Sequence, residues 1–367
     1  MKATGKGFAP IDQIGVVLAP INDLIIDPNV TDIFVYGKDK IFSKRFGESI
    51  KLENLSWKED IDLTVACNTI AQYFKKKLNF DYPILDGRLQ DGSRINILIQ
   101  PVYSEGACIS IRKFPFRKLS FSDLNNFGSI DENGVSILEA IVKLGKRIII
   151  SGGTGTGKTT LLNLLCSLIN EDDIVVTIED ARELSLKHTF WAPLESKKAY
   201  YEDDTVISLR DLVITSLRMF PRWIVLGEVR SGEVFDLMRA FNSGHSGMSS
   251  LHANSCEDAL FALENMFLQG MEMRIEAVRQ VISRGVDVVV QLTRFPDSKI
   301  RVTDISEIEG IEYINGMPQY KINTLYKYKL EKIGKDGNTN GKFELKNRPK
   351  FLNGTHEAYK SYLPSFW

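Results

Sequence analysis

The stretch Arg147-Ile-Ile-Ile-Ser-Gly-Gly-Thr-Gly-Thr-Gly-Lys-Thr-Thr160 holds the residues whose types and spacing imply chemistry most directly. Gly152, four residues, then Gly157-Lys158-Thr159 is the spacing of a phosphate-binding P-loop. Its setting is also the required one: an apolar strand before it and an apolar helix, Leu161 to about Ile169, after it. Gly153, Gly155 and Gly157 let the backbone curl so that successive N–H groups converge on phosphate oxygens. The helix that follows aims its positive end at the same anion. Lys158 is expected to reach the β- and γ-phosphates and Thr159 to hold Mg²⁺, with Thr154, Thr156 and Thr160 completing the loop around ATP. The plainer alternative is a glycine-rich strand–helix turn without a ligand. Strand, spacing and Lys-Thr together favour a bound nucleoside triphosphate.

Two later segments add acids at strand ends, where carboxylates can reach a metal shell or an attacking water. Ile174-Val-Val-Thr-Ile-Glu179-Asp180 is the first, and Trp223-Ile-Val-Leu-Gly227-Glu228-Val-Arg230 the second. In the second, Gly227 stands where an Asp commonly contacts the metal shell. Metal duty is therefore expected at Glu179 and Asp180, with Glu228 polarising water. Then comes Gly244-His245-Ser-Gly247-Met-Ser-Ser-Leu-His252-Ala-Asn254, with two of the chain's 4 histidines in one glycine-rich turn and strand. Either could report the γ-phosphate by hydrogen bonding, or satisfy local backbone groups. His188 and His356 read as structural or surface residues.

These residues need a scaffold. From Asn126 to about Gly310, helices alternate with short apolar strands: Arg147–Ile150, Ile174–Ile178, Trp223–Leu226, Met248–Leu251 and Val286–Leu292. Such strands belong to a sheet covered on both faces, hence an α/β core. Residues 1–113 have a mixed pattern. Ile11–Ile26 and Leu63–Leu78 show helical spacing, and Thr31–Tyr36, Arg94–Ile99 and Ala107–Arg112 read as strands. An α+β domain at 1–113, a linker at 114–125 and an α/β domain at 126–310 are the expected organisation. In the linker, Ser120 or Ser122 is placed to cap the next helix. Residues 311–367 form a basic, hairpin-like C-terminal extension with turn signals at Asp336-Gly337 and Asn340-Gly341. It ends in Tyr359, Tyr362, Phe366 and Trp367, which are expected to dock on its own domain, the alternative being a partner or membrane-surface contact.

The net charge of −1 argues against a dedicated nucleic-acid binder. No apolar run approaches the ~18–20 residues of a membrane helix, and Met-Lys-Ala-Thr-Gly-Lys lacks the apolar core of a secretory signal. Cys67, Cys108, Cys166 and Cys256 are widely spaced, which fits a reducing cytosol rather than a disulfide frame or zinc site.

The four blocks in this order resemble the type II/type IV secretion ATPase superfamily: P-loop, an Asp box at Thr177-Ile-Glu-Asp, Walker B strand, and a His box from Gly244 to Asn254. More narrowly the chain is similar to the CpaF branch that powers Tad/Flp-type pili. Ile25–Gly37, Asp86–Asn96, Ile109–Phe114, Leu217–Arg222 and Val288–Arg294 carry the likeness, as do Leu325-Tyr-Lys-Tyr and Asn347–Leu352 in the tail. The resemblance implies an N-terminal domain linked to a RecA-like domain, with ATP between them. N-terminal arginines, here Arg94 and Arg112, would reach the phosphates, as guanidinium groups do bidentately. Arg218 and Arg230, which flank the Walker B strand, are further candidates for nucleotide or interface contacts. The resemblance also implies a homo-hexamer, peripheral on the inner membrane, working on integral platform proteins. A conjugative or effector-translocating type IV system is the alternative. A RecA-like nucleic-acid motor and an ATP-binding scaffold without turnover are the competitors from other classes.

Overall fold

The computed structural model describes residues 13–45, 48–114, 119–201, 204–335, 337–353 and 355–367. The chain divides into two compact units, Met1–Lys118 and Leu119–Trp367. Residues 115–118, at the centre of the expected linker, lie outside the described residues.

The first unit begins with α1 (Gln13–Val17) and α2 (Asn22–Ile26). One helix was expected over Ile11–Ile26. Pro20 lacks an N–H and breaks the run, so a single 3₁₀ turn at Ala19–Ile21 separates two short pieces. Then follow β1 (Val30–Tyr36), β2 (Lys40–Arg45), β3 (Glu48–Leu52), α3 (Asp60–Tyr73), β4 (Ile84–Arg88), β5 (Arg94–Ile99) and β6 (Ala107–Arg112). The strands form one antiparallel sheet in the order β3-β2-β1-β6-β5-β4. Alternate residues, among them Ile33, Val35, Ile95, Ile97, Ile109 and Ile111, point to one face and pack with Leu63, Cys67 and Ile70 of α3. α3 stops at Tyr73, before Lys75-Lys76-Lys77, because Lys75 takes a left-handed backbone conformation (φ 55°).

The second unit opens with α4 (Phe121–Asn126), capped by Ser120, whose Oγ accepts from the Asp123 N–H at 3.2 Å. After α5 (Glu132–Lys143) come β7 (Ile148–Gly152), α6 (Lys158–Cys166), β8 (Val175–Glu179), β9 (Trp191–Glu195), α7 (Leu209–Ser216) and β10 (Trp223–Leu226). The chain continues through α8 (Glu233–Asn242), β11 (Ser246–Leu251), α9 (Cys256–Gly270), α10 (Ile275–Gly285) and β12 (Val288–Arg294). It ends with β13 (Ile300–Ile314), β14 (Met317–Ile333) and β15 (Thr339–Leu345). All nine strands make one sheet, β15-β14-β13-β12-β7-β11-β10-β8-β9. From β12 to β9 neighbours run parallel; β13 to β15 add on antiparallel. The parallel strands inside the half-exposed edge strand β9 are buried on both faces, by Ile137, Ile141, Leu161 and Leu165 of α5 and α6 on one side and by residues of α8, α9 and α10 on the other.

The basic C-terminal residues extend this sheet. β13 runs unbroken through residue 310, and β14 and β15 continue from it. The hairpin turn lies at Gly334–Asn338, closed by a 2.7 Å backbone bond and by Gly337 (φ 81°). Asp336 lies outside the described residues. Asn340-Gly341 is not a turn but part of β15, with Gly341 paired to Leu330. Trp367 packs edge-on against Phe351, with ring centroids 6.0 Å apart, and both rest on the core beside α5. All four cysteines are buried and unpaired, Cys166 inside the core as α6 requires. Among the described residues no helix is long and apolar enough to cross a membrane.

Candidate nucleotide-binding site

β7 is a fully buried apolar strand that ends at Gly152, and α6 begins at Lys158. Between them the chain turns through Gly155 (φ 69°) and Gly157 (φ 77°), conformations that side chains resist. Lys158 is buried and folds back into the loop. Its Nζ donates to the carbonyls of Gly152 and Gly153, each at 3.0 Å. The Thr156 hydroxyl donates to the Gly153 carbonyl at 2.8 Å. Burial pushes the Lys158 pKa down, with the Glu228 carboxylate partly opposing it.

The strand order sets the C-terminal ends of β7, β11, β10 and β8 side by side, and a line of side chains crosses them. Lys158 Nζ lies 3.1 Å from His252 Nδ1, just past β11. With Lys158 protonated, Nδ1 accepts, which puts the imidazole proton on Nε2. Nε2 faces Glu228 Oε1, past β10, at 3.0 Å. Glu228 Oε2 accepts from Arg230 at 2.7 Å, and that bond is the main reason the Arg230 pKa is raised. Arg230 in turn lies 3.7 Å from Asp180 Oδ2. Lys158, His252, Glu228, Arg230 and Asp180 thus form one continuous line.

Glu179 and Asp180 divide the roles that the sequence assigned to them jointly. Glu179 is buried, and its Oε1 accepts the N–H groups of Glu183 and Leu184 at 2.8 and 2.9 Å. Its Oε2 is buried without a hydrogen-bond partner. Burial raises the Glu179 pKa against the pull of those two backbone bonds. Space for this side chain comes from Gly227, since a Cβ there would stand 3.1 Å from Glu179 Cγ. An orphaned carboxylate oxygen beside the P-loop's strand ends fits a divalent cation, with Thr159 at the start of α6 as the second protein oxygen. Asp180 does not fit. Its Oδ1 accepts from Ser196 and its Oδ2 from Lys198, both at 2.8 Å. Burial alone would raise its pKa, but these bonds and Arg230 hold it below the usual carboxylate range. The expected metal role of Asp180 is thus replaced by pairing with cations, one of them on the segment after β9.

His245 is also corrected. It precedes β11 whereas His252 follows it, so the strand separates them by roughly 20 Å. Its Nδ1 sits 3.0 Å from Ser243 Oγ and 3.1 Å from the Ala240 carbonyl, so it belongs to its own turn and not to the P-loop end.

Residues 16–327 match the Type II/IV secretion system protein family. The chain belongs to that family. VirB11 of the type IV secretion system of Brucella suis is 31% identical over 310 residues, 75% of this chain and 84% of the relative. Among solved structures, the ATPase DotB of Legionella pneumophila superposes with a TM-score of 0.58 at 20% identity, covering 82% of this chain and 81% of that one. The pilus retraction motor PilT with bound ADP gives 0.56 at 19%, covering 84% and 82%. These likenesses establish the fold, an N-terminal domain followed by a RecA-like ATPase domain, as the sequence predicts.

In the first unit of this secretion-family chain, Arg94 and Arg112 are direct cross-strand partners, and Arg88 pairs with Arg94 on the other side. Register partners share a face, so three arginines form a row across β4, β5 and β6. Asp32 on β1 ends the row and accepts from Arg112 Nε at 3.1 Å. Arg88 was missed from sequence because Asp86-Gly87-Arg88 carries no local sign of its partner strand. Arg218 has no polar side-chain bond among the described residues. Arg294 was also missed. From the end of β12 its Nη2 donates to the Gly155 carbonyl of the P-loop at 2.5 Å.

Proposed function

We propose that the chain is an ATP-hydrolysing motor of a secretion or pilus machine. The observation that carries this reading is the line Lys158–His252–Glu228–Arg230 across the P-loop end of the sheet. It joins the phosphate-binding lysine to a carboxylate that can polarise water. The loop from Gly153 to Thr160 cradles the triphosphate, and Lys158 leaves its carbonyl partners for the phosphate oxygens. His252, bound to both Lys158 and Glu228, then reports the γ-phosphate to the carboxylate that orients the attacking water. Arg230 holds the second oxygen of Glu228. Thr159 and Glu179 would hold Mg²⁺, which when bound offsets charge developing on the phosphoryl oxygens. Glu179 accepts that duty because one of its oxygens lacks a partner. Arg94 and Arg112 of the first unit are the arginines that the family resemblance assigns to the phosphates.

In the same reading the chain works as a homo-hexamer, peripheral on the cytoplasmic face of an inner membrane, against integral platform proteins. The motifs quoted from the sequence favour the CpaF branch and a Tad/Flp-type pilus. The named type IV secretion relative favours the second reading, a conjugative or effector-translocating system. ATP hydrolysis measured on size-fractionated protein tests the motor assignment. Turnover is expected in a hexamer-sized fraction. Glu228→Gln is expected to lower it by on the order of 10²–10⁴ with ATP still bound, and Arg112→Ala by on the order of a hundredfold or more. A wild type that binds ATP yet remains inactive with its membrane partner present would replace the motor by a scaffold.

A further inference from the structure

The loop joining β12 to β13 lies beside the P-loop and is fastened to the C-terminal hairpin. Arg294 closes β12. Besides its bond to Gly155, its Nη1 lies 3.5 Å from the Ser298 carbonyl. Arg294 is exposed, and among the described residues no carboxylate pairs with it. It therefore brings an uncompensated positive charge to the edge of the phosphate-binding loop. Its bond also fixes the Gly155–Thr156 peptide. The peptide is planar and trans, so holding its carbonyl toward Arg294 turns the Thr156 N–H the opposite way.

The loop that carries Arg294 is held by a buried ion pair. Asp297 and Arg301 are 2.9 Å apart, with side chains 3% and 6% exposed. Asp297 also accepts from the Lys299 N–H at 3.0 Å and from the Thr339 hydroxyl. Arg301 stands over two adjoining rings, 4.8 Å from the centroid of Phe295 and 5.0 Å from that of Tyr328. Phe295 and Tyr328 meet edge to face at 5.3 Å. Tyr328 and Thr339 belong to β14 and β15, and both lie beyond residue 327, where the family match ends.

We infer that Arg294 is a positioning residue for the P-loop, and that the β14–β15 hairpin sets its position through Asp297, Arg301 and Thr339. Arg294 holds the Gly155 carbonyl and adds positive charge where the triphosphate enters. The hairpin fixes the loop so that this bond persists in the absence of nucleotide. This rests on the ATP-binding reading above. It makes the C-terminal extension part of the nucleotide site's support.

Equilibrium titration of the full chain with fluorescently labelled MgATP tests this, with melting temperatures and steady-state kinetics taken alongside. Arg294→Ala is expected to weaken binding and raise KM about five- to tenfold, the loss of a charge-assisted bond at an exposed site. The kcat and melting temperature stay within error. Arg294→Lys, which keeps charge but not the planar fork, is expected to fall between. Thr339→Val, remote from the P-loop, is expected to weaken binding about two- to threefold in the same direction. Unchanged affinity in Arg294→Ala, or equal falls in affinity, kcat and melting temperature, would overturn the role of Arg294. An effect of Arg294→Ala with none in Thr339→Val would overturn the role of the hairpin. A wild type that binds no more tightly than Lys158→Ala would instead sink the ATP-binding reading, and this inference with it.

Discussion

At one end of β11, His252 is joined to Lys158 and Glu228; at the other, His245 is bound to the turn that carries it. The two ends of the parallel sheet hold similar residue types. The N-terminal end has Arg222 3.3 Å from Asp173, the Trp223 indole donating to the same carboxylate, and an open cleft of about 430 Å³ beside His245. There each polar side chain closes a turn or links neighbouring loops. At the C-terminal end the side chains are bonded to one another across four strands. The difference follows from chain direction. In a parallel sheet every strand delivers its next residue to the same edge, and the following helix turns its positive end there. Glu179, Glu228 and His252 each lie at the end of a strand or just past it, and the P-loop lies past β7.

If the C-terminal end alone does chemistry, the largest contrast should come from Glu179, which has a strand-end position and an oxygen without a partner. Glu179→Gln is expected to reduce turnover about a hundredfold or more, through loss of charge at the metal shell. The same change should stabilise the protein without ligand at neutral pH, since it removes a charge that burial disfavours. The sign follows from the raised pKa. An acid whose folded pKa lies above its unfolded value loses stability as pH rises through that interval. Wild-type melting temperature should therefore climb as pH is lowered through the raised pKa towards the ordinary carboxylate value, and the Gln variant should lack this slope. A variant that melts lower than wild type throughout would show that the buried Glu179 carboxylate does not destabilise the fold.

The two histidines sharpen the contrast directly. His252→Ala is expected to cut turnover about ten- to a hundredfold, the usual cost of losing a residue that orients a catalytic group. His245→Ala should leave turnover within about twofold. Equal losses in steady-state assays would mean that the two ends are not functionally distinct.

The smallest expected effect is on pH dependence. The Lys158 pKa is lowered by burial, so its charge is lost at a lower pH than that of an ordinary lysine. ATP affinity should decline on the alkaline side below about 10.5. A flat affinity profile up to that pH would show that bound phosphate restores the lysine fully.

The candidate site was legible to unequal degrees. The P-loop is a single contiguous segment, so spacing alone identified it. Glu179 and Glu228 follow apolar runs that can only be buried strands, and that marks a strand end. Asp180 carries the same local sign as Glu179. Its actual partners, Ser196 and Lys198, lie beyond the next strand, and no pattern near residue 180 announces them. The break at Pro20 could have been read locally. Strands β2 to β4 and β13 to β15 could not be read as easily, because their half-exposed residues give neither a continuous apolar run nor a strict alternation.

By itself the sequence determined the chemistry available: a loop that can bind phosphate, acids at two strand ends, and a histidine-bearing strand. Those properties depend on residues close together in the chain, where backbone curl and apolar periodicity act. Only the tertiary structure decided which histidine meets Lys158, which acid keeps an oxygen without a partner, and that the C-terminal hairpin holds the loop bearing Arg294. The first two depend on the order β7-β11-β10-β8, which sets Lys158 beside His252, 94 positions on, and the third on β13 to β15 extending the same sheet. Strand order is set by how the faces of the whole sheet are buried, and no short segment carries that information.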